Sequence, residues 1–319
     1  MSNRTKGNLL LLLTAVVWGT GFIAQKIGNN YLPPMTFNAL RQLVATAEIC
    51  PMAIFALKKS GYLSASHNSA EELAYKKKKM ARAGVISGLF MLLGSMTQQM
   101  GMVTVSAGKS GFISSLYIVF TPIFAVAIGK RVKPKTIISL VVAVAGFSLL
   151  SLKGGLGGAT AGDWLTLISA IGFGGQIVAV GCFVDKDNSL LLSVMQLGFS
   201  GAVGLVIALM VEDPTMAQLS AGLLPMLYSG LIPGALGFTF QIMGQKYADP
   251  TTAALLMSLE AVFAAVFGGL MLGETMTGRE LLGCAVIFVA IIMDQIDLQP
   301  ENIKFLKKIV RISEKKNRI

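Results

Sequence analysis

The sequence predicts an all-α polytopic membrane protein, with ten transmembrane helices in two inverted five-helix repeats. Three observations carry that reading. Of 319 residues, 54% are hydrophobic and only 13% charged, with mean hydropathy +0.68. A soluble domain carries about 25% charge, so this chain cannot cover a water-facing surface. The apolar residues fall in runs long enough to cross a bilayer core, which takes about 20 residues at about 1.5 Å each. Third, the chain matches itself at a shift of nearly half its length.

In order, the runs are 8–26, 35–57, 83–104, 109–129, 136–152, 163–184, 190–211, 219–243, 252–272 and 279–296. Their length points to helices, since barrel strands need only about 10 alternating residues. The first run follows Arg4 and Lys6 but is too long for the apolar region of a signal peptide, so it is expected to be retained. Between runs 2 and 3, Ser69 through Glu72 fits a capping box ahead of a lysine run, and a short solvated helix is expected there. Gly154-Gly155-Leu156-Gly157-Gly158 lacks the Gly-Lys-Ser/Thr of a phosphate loop and reads as a flexible connector. The tail alternates Ile303, Leu306, Ile309 and Val310 with Lys304, Lys307, Lys308 and Arg311, the pattern of an interfacial helix on anionic lipid.

The net charge of +11 orients the protein rather than marking nucleic acid. With ten spans, 22 of the 27 Lys and Arg fall on the side of both termini, which the positive-inside rule makes cytoplasmic. A plasma-membrane location is expected. Cys50, Cys182 and Cys284 lie in spans without CxxC spacing and read as free thiols.

In the repeat, a shift of 143 places Gln98-Gln99-Met100-Gly101 on Gln241-Ile242-Met243-Gly244, and Ser115-Leu116-Tyr117 on Ser258-Leu259-Glu260. One residue later Gly129-Lys130 meets Gly273-Glu274, and for the first two spans a shift of 154 brings Gln42 onto Gln196. Five spans per repeat is odd, so the halves must be inverted. Residues 1–155 and 156–298 form the two units, followed by the basic tail 299–319. Inverted repeats are a transporter architecture, with the solute site near the midplane between the halves.

Trp18-Gly19-Thr20-Gly21-Phe22, Leu32-Pro33-Pro34, Phe37-Asn38-Ala39-Leu40-Arg41, Gln98-Gln99, Ser106-Ala107-Gly108, Thr121-Pro122 and Ser258-Leu259-Glu260 leading to Leu272-Gly273-Glu274 occur in order along the chain. In these the sequence resembles the EamA branch of the drug/metabolite transporter superfamily. The resemblance implies two inverted five-helix halves and export or exchange of a small polar metabolite, often an amino acid. Efflux of hydrophobic cationic drugs is the alternative. Ala261 stands where relatives often carry proline, which puts a kink in the ninth span in question.

The candidate solute-binding residues are Glu260, Tyr117, Gln98, Gln241, Trp18, Arg41 and Asn38. Glu260 would lie about 12 Å along its helix. A charge at that depth costs roughly 3 to over 10 kcal/mol, so the carboxyl must meet a wet cavity, a partner or a proton. It reads as an ammonium contact or proton carrier, or else as an acid bonding between helices. Tyr117 is its repeat mate. Arg41 reads as a gate or a contact for a solute carboxylate. Glu48 shares its helix face, about 10 Å away. Lipid cannot satisfy the amides of Gln98, Gln99 and Gln241, so they point inward as interhelical glue or pocket wall. Trp18 lies too deep for an interfacial belt, and Pro122 and Pro233 interrupt helices. Gly84/Gly88 and Gly230/Gly234 have helix-packing spacing.

Expected partners are a small-molecule solute, coupled protons, anionic lipid headgroups at the cytoplasmic face and, as an open option, a second copy of the chain. No cofactor, metal or nucleic acid is expected. The rival class is an intramembrane enzyme. Its residues are missing: the only histidine, His67, lies in a loop, and no span holds paired aspartates or G-x-S-x-G.

Overall fold

A computed structural model describes residues 2–129, 134–151, 159–185 and 188–295. Among these the regular structure is entirely helical: α1 (Asn3–Gly28), α2 (Pro34–Ser60), α3 (Ala70–Gly101), α4 (Ala107–Ser114), α5 (Tyr117–Ala127), α6 (Pro134–Ser151), α7 (Ala161–Phe183), α8 (Ser189–Val211), α9 (Met216–Ala221), α10 (Leu223–Ser229), a π-helical turn (Gly230–Gly237), α11 (Phe238–Gln245), α12 (Pro250–Ser258), α13 (Glu260–Leu272) and α14 (Gly278–Gln295). Eight stretches are long and apolar enough to cross a membrane: α1, α2, α3, α4 with α5, α7, α8, α10 through α11, and 252–272. Helices α6 and α14 stand where the fifth and tenth spans are expected. The apolar core of α6 is shorter, over 137–150, and α14 includes Arg279, Glu280 and Asp294. The Gly154–Gly158 connector and the basic tail both lie wholly outside the described residues.

The capping box forms. Glu72 N–H donates to Ser69 Oγ at 3.2 Å, and Ser69 N–H to the Glu72 carboxylate at 3.1 Å. It does not start a separate short helix, however. No Gly or Pro separates Ser69 from the third apolar run until Gly84, so the helix continues without a break as the 32-residue α3. Its basic turns are tied down by an ion pair from Lys79 to Asp185 at 2.6 Å.

The packing is inside-out relative to a soluble domain. Phe55, Val206, Leu209, Leu270 and Met271 are exposed on outer faces, whereas Thr14, Gln42, Ser95, Gln99, Gln176 and Gln196 are fully or almost fully buried. The contacts between the two halves also come in matched sets. Helix α3 packs on α7 as α1 packs on α11, α3 on α8 as α2 on the π turn, and α5 on α7 as α1 on α12 and α13. The pairs α2–α8 and α6–α14 join like to like.

Small residues let these backbones approach. Gly84 and Gly88 receive Met195 and Phe199 of α8, while Gly230 and Gly234 lie on Val44 and Ala45 of α2. At the α3–α7 contact, a Cβ on Gly172 would stand 2.4 Å from the backbone nitrogen of Gly94, which cannot yield as a side chain tip would. Gly172→Ala should therefore lower the stability of the purified protein by roughly 1–3 kcal/mol. Gly278→Ala, where a Cβ meets nothing within 4 Å, should leave it unchanged. Thermal unfolding in detergent measures both.

Candidate functional site

The site is shaped by two matched helix interruptions. In the fourth span, Ser115 Oγ donates to the Phe112 carbonyl at 2.8 Å; in the ninth, Ser258 Oγ donates to the Leu255 carbonyl at 2.7 Å. Each hydroxyl takes a carbonyl that the backbone would use one residue later, which bends helices. The backbone tightens to three-residue bonds, Leu116 N–H to Ile113 O at 3.2 Å and Val262 N–H to Leu259 O at 3.0 Å. The α-helix stops at Leu116 and at Leu259, and the next helical segment opens with Tyr117 in one half and Glu260 in the other. Span nine is thus interrupted without a proline, because the serine supplies the competing bond.

A third interruption is the π turn at Pro233, which has no N–H to continue an α-helical ladder. The Pro233 carbonyl accepts from Trp18 Nε1 at 3.1 Å, and the Trp18 ring lies 4.8 Å from that of Phe238, centroid to centroid. Trp18 therefore both lines the cavity and pins α1 to the eighth span.

These elements line a partly open pocket between the halves, about 480 Å³ of atom-free space with the solvent at its mouth included. Trp18, Gln25, Arg41, Gln98, Tyr117, Gln176 and Glu260 supply its polar atoms, and Phe22, Phe173, Ile177, Pro233 and Phe238 its apolar wall. Arg41 is almost fully buried and braced from α2 itself: Nε and Nη2 donate to Asn38 Oδ1 at 3.2 and 3.0 Å. The brace extends to α3, where Asn38 Nδ2 and Gln42 Nε2 both donate to Ser95 Oγ, at 3.2 and 2.6 Å. Among the described residues no carboxylate pairs with Arg41. Across the halves, Glu260 is buried with its carboxyl group facing the Tyr117 hydroxyl. The cavity thus presents one guanidinium and one carboxyl group, each without a charged partner among these residues.

Of the residues expected at the site, Trp18, Arg41, Gln98, Tyr117 and Glu260 meet around this cavity. Asn38 and Gln241 do not line it. Asn38 stands behind Arg41, and Gln241 behind Gln176, to which it donates at 3.0 Å. Glu48 is also away from the lining, with one carboxylate oxygen unpartnered among the described residues. Gln25 and Gln176 line the cavity without having been expected from the sequence, although the rule that marks Gln98 applies to them: an amide inside an apolar span must face inward.

The Gln176 amide is the hub of a buried cluster, donating to Gln196 Oε1 at 2.9 Å and accepting from Gln241. Removing one member of such a cluster leaves its partners unpaired at about 1–3 kcal/mol each. Gln176→Leu should therefore destabilise the protein more than Gln176→Leu with Gln241→Leu. The order of thermal midpoints among the two variants and the parent tests this.

The EamA-like transporter family matches residues 5–152 and 160–293. A protein of Archaeoglobus fulgidus, named as an uncharacterized transporter, is 27% identical over 293 residues, covering 91% of this chain and 86% of its own length. A protein of Priestia megaterium, named as a probable glucose uptake protein, is 27% identical over 225 residues, covering 66% of this chain and 76% of its own. A solved crystal structure superimposes with a TM-score of 0.63 at 17% identity, over 92% of this chain and 97% of that one, a likeness of fold. With a family match across both halves of its length, the chain belongs to the EamA-like transporters of the drug/metabolite transporter superfamily.

Proposed function

We propose that the protein moves a zwitterionic small metabolite, an amino acid by chemistry, across the plasma membrane by alternating access, as an exporter or exchanger. The observation that carries this is the cavity shared by Arg41 and Glu260. A buried charge without a partner is costly, and a solute with a carboxylate and an ammonium group relieves both at once. The guanidinium is a bidentate receptor for a carboxylate, and Asn38 fixes the plane of its fork. Glu260 takes the ammonium group, or exchanges a proton for it. Tyr117 offers a hydroxyl to the same solute.

Alternating access rests on the two inverted halves. Their support is the repeat register, the matched interruptions before Tyr117 and Glu260, and the exchange of roles in the contacts between halves. The distribution of Lys and Arg supports a cytoplasmic location for both termini.

A hydrophobic cation is the second reading, favoured by the aromatic wall of Phe22, Phe173 and Phe238 beside Glu260. Arg41 in the same cavity weighs against it. A neutral sugar would leave both charges unrelieved.

Counterflow into liposomes, screened over labelled amino acids, glucose and a lipophilic cation, tests the reading. Amino acids should exchange, and the other two should not. Glu260→Gln should abolish coupled transport while leaving membrane insertion intact, and Tyr117→Phe should impair it less. Arg41→Gln should raise the half-saturating amino-acid concentration about tenfold or more, and should not weaken competition by the decarboxylated amine. Equal exchange of amino acids by parent and Glu260→Gln would show the carboxyl to be structural.

A further inference from the structure

Three carboxylates from one half reach across to the other at the same end of the molecule: Asp163, which pairs with Lys109 at 2.7 Å, and Glu212 and Glu274, which cap helices. Glu212, just past α8, accepts from Met35 N–H at 2.9 Å, Thr36 N–H at 2.7 Å and Thr36 Oγ1 at 2.7 Å, so it caps α2. Glu274, just past α13, accepts from Ala107 N–H at 2.8 Å and Gly108 N–H at 3.1 Å, so it caps α4. Helix α2 has no side-chain cap from its own half, and α4 has only Ser106 Oγ, which accepts from Lys109 N–H at 3.3 Å. Gly268 makes room for the Glu274 carboxylate, since a Cβ there would stand 2.6 Å from Glu274 Oε2. The helices held are those that carry Arg41 and lead to Tyr117; the helix leading to Glu274 carries Glu260.

At the opposite end no helix is capped by a carboxylate of the other half among the described residues, although the Lys79–Asp185 ion pair, at 2.6 Å, joins the halves there. Helix α8 starts at Asn188, whose side chain makes no capping bond, and α12 is met by Asp249 of its own half, which accepts from Thr252 N–H at 3.1 Å. The repeat register explains the difference. The shift of 154 sets Lys58 against Glu212, and the register of Gly129 with Gly273, both left-handed, sets Lys130 against Glu274. Lysine has no acceptor and carries the wrong sign for a helix N-terminus. At that end a cleft of about 890 Å³ opens between α2, α8 and α11, lined by Leu57, Lys59, Ser189, Leu191 and Met243 among others.

We propose that Glu212 and Glu274 are the external latch of the transport cycle: charge-assisted caps across the halves that hold the cavity shut to the outside and must release before it opens there. At the cytoplasmic end, where the repeat carries lysines, no such cap crosses between the halves among the described residues; there the Lys79–Asp185 ion pair joins them, and Ala45, Ile49, Leu197 and Phe238 pack nearer the cavity. The latch rests on the transport reading and on the two inverted halves.

The test uses the full chain with its three natural cysteines replaced, in right-side-out vesicles, with Gln25→Cys as a reporter in the cavity and an impermeant thiol reagent outside. Labelling should be slow in this parent. Glu212→Gln with Glu274→Gln should speed it about tenfold or more, as expected when a charged acceptor of two amides becomes a neutral one, and each single change should speed it less. Asp213→Asn should change nothing, because Asp213, next to Glu212, is exposed and makes no hydrogen bond or ion pair among the described residues. The latch is overturned if the double variant labels at the parent rate, or if Asp213→Asn accelerates labelling equally. Should the double variant fail to insert, the single variants replace it: faster labelling than the parent supports the latch, and labelling at the parent rate overturns it. Labelling needs no solute, so a counterflow screen without amino-acid exchange would overturn the function proposed above and leave this result readable.

Discussion

A polar group inside a bilayer has no water to turn to, and the structure follows from that constraint. Amides and hydroxyls set into apolar runs converge on the interior and on one another. Gln176 with Gln196 and Gln241, Gln98 with Ser114, and Asn38 with Ser95 and Arg41 are the outcome. The apolar side chains are left to face outward. Arg41 and Glu260 are two buried ionisable groups that this internal bonding leaves without a charged partner among the described residues, and both line the cavity.

The same constraint makes helix interruptions informative. A carbonyl in an interrupted ladder can take a side-chain donor, and three here do: Phe112 and Leu255 accept from serine hydroxyls, and Pro233 from the Trp18 indole. Each substitution of donor bends a span toward the cavity instead of exposing backbone to lipid. The two halves use one scaffold for different chemistry. The position after the serine-induced break carries a phenol in one half and a carboxyl in the other. The positions just past the second and fourth spans of each half carry lysine in the first half and glutamate in the second. Inversion turns that difference into a difference between the two faces of the membrane.

Spans are legible in the sequence because length and hydropathy need no knowledge of packing, and the capping box because its geometry is local. Tyr117 and Glu260 are legible through the repeat. What the sequence does not convey is azimuth. Asn38 and Gln241 sit at the right depth, but their helices are turned so that the amides meet Arg41 and Gln176 instead of the cavity. Gln25 and Gln176 lie at similar depth with the opposite rotation. Hydropathy places the start of α3 about a dozen residues late, because charged lysine turns end an apolar run without ending a helix. Pro233 announces an interruption; that it takes the form of a π turn held by Trp18 depends on a residue more than 200 positions away.

The central claim is that Arg41 and Glu260 are held apart for a solute bearing both charges. A density map of the full chain in lipid nanodiscs, at saturating concentration of the amino acid with the fastest counterflow, addresses it directly. The account predicts density between the two side chains, its carboxylate on the Arg41 guanidinium and its ammonium group on Glu260. An Arg41 bonded to Glu260 with the solute bound elsewhere would contradict it.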